Sequence, residues 1–213
     1  GIQCRVSNPI IPFLSTVQNS RDHRKICVID GKVAFTGGVN LADEYANEIT
    51  RFGHWKDTAI MLKGDAVQSF TMLFLEMWAV NQMEPADCQN YLTPKHVVPD
   101  PPHGYVIPYG DHPYDNENVG EEVYFHILNH SKKYVHIMTP YLILDSEMIT
   151  ALTRAAKSGI EVIIIMPHIP DKWYAFVLAH TYYKELIQAG VSIYEYTPGF
   201  VHAKVFVSDD DTA

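Results

Sequence analysis

Cysteine, positive charge and long apolar runs are all scarce in this sequence. Its three cysteines, Cys4, Cys27 and Cys88, are odd in number and lack metal-ligand spacing. That argues against a disulfide framework or a cysteine zinc site, and suits a reducing compartment. Lysine and arginine number 16 against 25 acidic residues, giving a net charge of -9. Such a balance disfavours broad attraction to a polyanion, so nucleic acid is not an expected partner, although a small cationic pocket can persist inside an acidic protein. No apolar run approaches the roughly 18 residues that a membrane span needs. The longest, around Val162–Met166, reads as a buried strand. There is no signal-peptide pattern and no initiating Met; the chain opens in mid-pattern at Gly1-Ile-Gln-Cys-Arg-Val6 and reads as a fragment.

What is present is a globular composition, 47% hydrophobic, 12% aromatic and 19% charged over 213 residues. Between Glu84 and Asn118 periodicity is lost, and Pro85, Pro94, Pro99, Pro101, Pro102, Pro108 and Pro113 each remove a backbone donor. This divides the chain into residues 1–83, a Pro-rich linker 84–118, and residues 119–213. Before the linker, apolar runs at Ile26–Ile29, Val33–Phe35 and Ala59–Leu62 read as strands, followed by a helix with Val67, Phe70, Phe74 and Trp78 on one face. After it, helices are expected at Val119–Asn129, Asp145–Ser158 and Lys172–Ala189. Strands are expected at Tyr134–Met138, Glu161–Met166 and Val191–Tyr196. The alternation implies an α/β fold with a mixed sheet flanked by helices.

Gly1-Ile-Gln-Cys-Arg-Val-Ser-Asn-Pro9 and Gly190-Val-Ser-Ile-Tyr-Glu-Tyr-Thr-Pro198 share one frame, and each is followed by His-x-Lys. His23-Arg-Lys25 reaches Asp30 after four residues, and His202-Ala-Lys204 reaches Asp209 after four. Roughly a few hundredths of one such H-x-K-x4-D match is expected by chance, so two in a repeated frame is a strong signal. On a strand, period two sets His23 beside Lys25 and His202 beside Lys204. Two imidazoles and two ammonium groups suit phosphoryl transfer without a metal: one ring attacks phosphorus, the other protonates the leaving oxygen, and the lysines hold the non-bridging oxygens. Histidine serves both roles because its unperturbed pKa of about 6.5 permits either protonation state near neutrality.

The doubled motif resembles the phospholipase D superfamily. Arg21-Asp-His-Arg-Lys25, Gly37-Gly-Val-Asn40, Leu41-Ala-Asp-Glu-Tyr45, Trp55-Lys-Asp57, Thr139-Pro-Tyr141 and Tyr194–Lys204 are similar to its bacterial cardiolipin synthase family. The resemblance implies two pseudo-repeated domains, the first without its front half and the second without its C-terminal end. It further implies His23 as nucleophile through a phosphatidyl-histidine, and His202 as general acid and then base. Lys25, Lys204 and Asn40 would bind phosphate oxygens, and Gly37 and Gly38 would give the backbone close approach. Asp57 would orient His23. The motif aspartates Asp30 and Asp209 complete the catalytic motifs, as supports rather than proton carriers. No metal and no cofactor is implied. The substrate would be phosphatidylglycerol, met at the cytoplasmic side of the bacterial cell membrane through N-terminal segments outside this sequence.

The chain ends at Ala213, before a second Gly-x-x-Asn segment and its acidic residue, so this piece alone is expected to hold half of the phosphate clamp. Rivals sharing the chemistry are a hydrolase and a phosphatidylserine synthase; a nuclease is disfavoured by charge. A reading of another class is a catalytically incomplete piece that folds or dimerises by exchanging missing elements. His96, His103 and His112 read as solvated linker residues, and His130, His136 and His168 as ordinary. His180 reads as core on an aromatic helix with Trp173, Tyr174, Phe176 and Tyr183.

Overall fold

A computed structural model describes residues 1–6, 22–79, 88–92, 104–111 and 117–213. Arg21, most of the Pro-rich stretch, and His96, His103 and His112 lie outside these residues. In chain order the strands are β1 (Ile26–Ile29), β2 (Val33–Gly37), β3 (His54–Lys56), β4 (Ala59–Lys63), β5 (Tyr134–Met138), β6 (Glu161–Pro167), β7 (Ser192–Tyr196), β8 (Gly199–Val201) and β9 (Val205–Ser208). The helices are α1 (Ala66–Ala79), α2 (Val119–His130), α3 (Ser146–Lys157) and α4 (Trp173–Ala189). The backbone divides into two compact units, residues 1–36 with 59–119, and residues 37–58 with 120–213.

The first unit is a sheet of order β1-β2-β4 with α1 packed on it. β1 and β2 pair antiparallel, from Ile26 opposite Thr36 to Ile29 opposite Val33. Asp30 and Gly31 join them with φ of 52° and 62°, and Lys32 N–H donates to the Ile29 carbonyl at 2.9 Å. Two successive left-handed residues give the mirror-image turn whose twist matches a hairpin. The buried face of α1 is Val67, Phe70, Thr71 and Leu75. The expected stripe continued through Phe74 and Trp78, but Phe74 is 47% exposed and stacks on Trp78 at 5.9 Å. Thr71 can sit inside because its hydroxyl donates to the Val67 carbonyl at 2.9 Å.

The second unit is the mixed α/β layer anticipated from the sequence. Its sheet has order β7-β6-β5-β9; β5, β6 and β7 run parallel, and β9 is antiparallel to β5. Along β5 and β6 the buried residues alternate, Val135 and Ile137, then Val162, Ile164 and Met166. They pack with Leu128 of α2, Met148, Leu152 and Ala155 of α3, and Ala179 and Leu186 of α4. Asp145 caps α3, accepting from Met148 N–H at 2.8 Å. α4 stops at Gly190, whose φ of 103° suits a residue without Cβ.

A second, two-stranded sheet was not legible in the sequence. β3 and β8 pair parallel, with His54, Trp55 and Lys56 opposite Gly199, Phe200 and Val201. Their backbones approach so closely that a Cβ on Gly199 would lie 2.7 Å from the Phe52 carbonyl oxygen. This pairing ties residues 37–58 into the second unit and brings the segment after the first motif to the second.

Candidate active site

Both His-x-Lys pairs were expected inside strands. Instead His23 and Lys25 lie just ahead of β1, and His202 and Lys204 lie between β8 and β9. The reason is local. Lys25 Nζ donates to the His23 carbonyl at 2.5 Å, and Lys204 Nζ to the His202 carbonyl at 2.6 Å, so the strand acceptor is taken by a side chain. The side-by-side placement nevertheless holds, because each Nζ also reaches its own imidazole, at 3.0 Å on His23 Nδ1 and 2.9 Å on His202 Nε2.

In the first unit, His23 is exposed and lies between Asp22 and Arg24 in the chain. Arg24 Nε and Nη2 grip the Asp22 carboxylate at 3.0 and 2.6 Å, and the Arg24 backbone N–H donates to it at 2.8 Å. Burial pushes the Asp22 carboxyl up, but the Arg24 hydrogen bonds and charge outweigh it and hold the group below its usual range. Alternate residues thus form two pairs, Asp22 with Arg24 and His23 with Lys25.

The second unit buries its histidine. His202 is 6% exposed, and its Nδ1 lies 2.9 Å from Oδ2 of Asp57, whose side chain is 5% exposed. This corrects the expected partner of Asp57: its carboxylate is on His202, where His23 had been named. The residue that reads as flanking the first motif follows β3, and β3 lies against β8, the strand leading into His202. Thr58 N–H donates to Asp57 Oδ1 at 2.8 Å, and His202 N–H donates to the Lys56 carbonyl at 2.8 Å. Burial raises the Asp57 carboxyl, but the hydrogen bonds from His202 and Thr58, with the charges of His202 and Lys204, bring it below the ordinary value.

An ammonium group only donates, so Nε2 of His202 is the acceptor from Lys204, and the ring proton is on Nδ1 facing Asp57. The arrangement presents Nε2 as the reactive nitrogen. Gly38 is buried beneath the Asp57 carboxylate; a Cβ there would lie 2.8 Å from Asp57 Cγ. Close approach at Gly38 thus serves this carboxylate. Gly37 ends β2. Asn40, expected on phosphate, donates Nδ2–H to the Tyr45 hydroxyl at 2.6 Å. Tyr45 stands edge-on to His202 at 5.3 Å, and Trp55 and Phe200 complete an aromatic wall at 5.4 and 6.0 Å.

The motif aspartates sit in matching turns. Asp209 and Asp210 have φ of 56° and 65° after β9, as Asp30 and Gly31 do after β1. Asp209 accepts the backbone N–H groups of Lys132, Lys133 and Tyr134 at 2.6, 2.9 and 2.9 Å. Those bonds, that of Tyr134 foremost, hold its carboxyl below the usual range. Asp209 is therefore an anchor between β9 and the turn into β5.

Tyr45 and Phe200 lie in segments that carry the resemblance but were given no role in the sequence; they gather around His202 through the β3–β8 pairing. The core reading of His180 fails, because Trp173 is 74% and Tyr174 58% exposed, and exposed His180 bonds Glu195 at 3.2 Å. His136 and His168 likewise pair surface carboxylates, Glu161 and Glu195, each at 2.8 Å.

Residues 124–213 match the family model described as cardiolipin synthase, PLD-like domain. An uncharacterised protein of Streptococcus mutans is 59% identical over 99% of this chain and 45% of its own length. A cardiolipin synthase of Geobacillus kaustophilus is 38% identical over 100% of this chain and 42% of its own, and cardiolipin synthase 2 of Bacillus cereus 40% over 95% and 39%. This chain therefore spans less than half the length of these relatives. Among solved structures, phosphatidylserine synthase of Haemophilus influenzae superposes with a TM-score of 0.53 at 15% identity, covering 88% of this chain and 52% of that one. That likeness concerns the fold.

Proposed function

Because the chain belongs to the phospholipase D-like cardiolipin synthase family, we propose that it serves phosphatidyl transfer between two phosphatidylglycerol molecules, forming cardiolipin and glycerol. The carrying observation is His202, buried with Nδ1 on Asp57 and Nε2 turned to Lys204. In the first step a ring nitrogen of His23 attacks phosphorus and the bond from phosphorus to the glycerol oxygen breaks. The doubly protonated form of His202, in which Nε2 carries a proton in place of the Lys204 hydrogen bond, delivers that proton to the oxygen. In the second, Nε2 takes the proton from a hydroxyl of the second phosphatidylglycerol, whose oxygen displaces the histidine. Asp57 offsets the charge that the ring carries whenever Nε2 is protonated. Lys25, Lys204 and Asn40 hold the non-bridging oxygens, where charge develops. Asp30 and Asp209 support the turns, and Gly37 and Gly38 keep side chains out of the way. The reaction would take place at the cytoplasmic surface of the bacterial membrane. Among the described residues no helix is long and apolar enough to cross one.

The test is turnover of labelled phosphatidylglycerol by this chain and by a version extended to the length of its Geobacillus relatives, each with and without His23→Ala. Cardiolipin formed by an active form and abolished by the substitution supports the reading. Phosphatidic acid as the main product would instead assign a hydrolase, and no turnover by either form would refute phosphatidyl transfer.

A further inference from the structure

The two motif turns match in backbone and differ in what covers them. After β1, Lys32 N–H donates to the Ile29 carbonyl at 2.9 Å and Val33 lies opposite Ile29; after β9, Asp211 N–H donates to the Ser208 carbonyl at 3.1 Å and Thr212 lies opposite Ser208. Cys27, Ile29 and Asp30 are thus the counterparts of Phe206, Ser208 and Asp209. In the second unit one helix–turn–strand segment covers all three. Tyr124 of α2 stacks on Phe206 at 4.2 Å, the Ser131 hydroxyl meets that of Ser208 at 2.9 Å, and the amides of residues 132–134 reach Asp209. β5 then pairs with β9 along the edge that Thr212 leaves open. In the first unit the counterparts are bare: Cys27 and Asp30 are exposed, and Ile29 is 50% exposed. Among the described residues the Asp30 carboxylate has no hydrogen-bond partner, and β1 is the edge of its sheet. Phe35, opposite Cys27, extends the same exposed apolar face, while Ile26 and Val28 turn the other way, to the core under α1.

An open apolar strand edge is a template for a further strand. We propose that the free edge of β1, with Cys27, Ile29, Phe35 and Asp30, is the docking surface for a helix–turn–strand segment of a longer polypeptide of the length its relatives have. The strand of that segment adds to β1 as β5 adds to β9, its turn presents consecutive backbone N–H groups to Asp30, and its helix covers Cys27 and Phe35. Ile29 stands where the second unit has Ser208, so the segment meets it with an apolar group in place of the Ser131 hydroxyl. This chain spans 42–45% of the length of the Streptococcus and Geobacillus relatives, which leaves ample length for such a segment. A second copy of this chain suits the face less well, because its own α2, turn and β5 are engaged on β9. His23 and Lys25 lead directly into β1, so seating the segment also fixes the first motif.

Cys27 reports on the docking through its thiol. Its alkylation is followed by peptide mass spectrometry in this chain and in the version extended to the length of its Geobacillus relatives, each with and without Asp30→Asn. Asparagine also suits a left-handed turn, so the hairpin is kept. The expected result is ready labelling in this chain and labelling about a hundredfold slower in the extended protein, where it proceeds only through local opening. Asp30→Asn should speed the extended protein about tenfold and leave this chain unchanged, since only there does the carboxylate hold amides. Equal rates in the two proteins overturn the docking surface, and protection indifferent to Asp30→Asn overturns the part given to that carboxylate. Protection of this chain that grows with its own concentration assigns the face to a second copy instead.

Discussion

An imidazole can trade a proton with a leaving oxygen in a defined direction only if its two nitrogens are made unequal, and at His202 Asp57 and Lys204 do this from opposite sides of the ring. Asp57→Asn should lower kcat for phosphatidyl transfer by about a hundredfold with little change in KM, since it alters the orientation and charge of the ring while leaving the phosphate donors in place. The same pair should appear in stability. The Asp57 carboxyl is depressed below 3.8 in the folded protein, so its contribution is complete above the unfolded value and is lost as pH falls through the folded one. Urea midpoints of wild type and Asp57→Asn should differ by a constant amount above the ordinary carboxylate range and converge as pH falls through the lower folded value. Gly38→Ala should act through the same carboxylate, because its Cβ would occupy the space under Asp57. Combined with Asp57→Ala, which vacates that space, it should cost little beyond Asp57→Ala alone, and a double-mutant cycle giving simple additivity would contradict the coupling.

At the level of elements, long periodic segments announced themselves and short paired ones did not. β5, β6 and α3 follow from alternation, from a capping aspartate and from a terminal glycine, all local signals. β3 and β8 have three residues each, too few to carry a period, and exist because each completes the other's hydrogen bonds. The face of α1 turns away from Phe74, which helical spacing had placed on it, whereas Thr71 satisfies its own hydroxyl and fits inside. Asp209 anchors three consecutive amides, so Asp209→Ala should accelerate hydrogen exchange at Lys132, Lys133 and Tyr134 and lower Tm, with activity lost in proportion to folded protein. Asp145→Ala should cost about 1 kcal/mol, the usual worth of a helix cap, measured by denaturant unfolding.

For the molecule as a whole, the motifs were more legible in the sequence than the wiring. The repeated His-x-Lys and its family were readable in single positions, but the partner of Asp57 depended on a strand pairing between distant parts of the chain. Residues 120–213 produced alone should lack β3 and the acceptor for His202, and should unfold with weak cooperativity; a synthetic peptide of residues 37–58 should bind and raise Tm. No effect of the peptide would count against the unit that the two segments form. The same pairing sets a timetable. Asp57 and His202 are 145 positions apart, so at about 5–20 residues per second a ribosome releases the carboxylate roughly 7–30 s before its imidazole. Until then the nascent chain holds a charge meant for burial with nothing to bury it against. The Asp57–His202 pair is therefore a late event in the life of the molecule, and slow or paused synthesis after residue 58 lengthens the interval in which chaperones and proteases meet an unfinished fold.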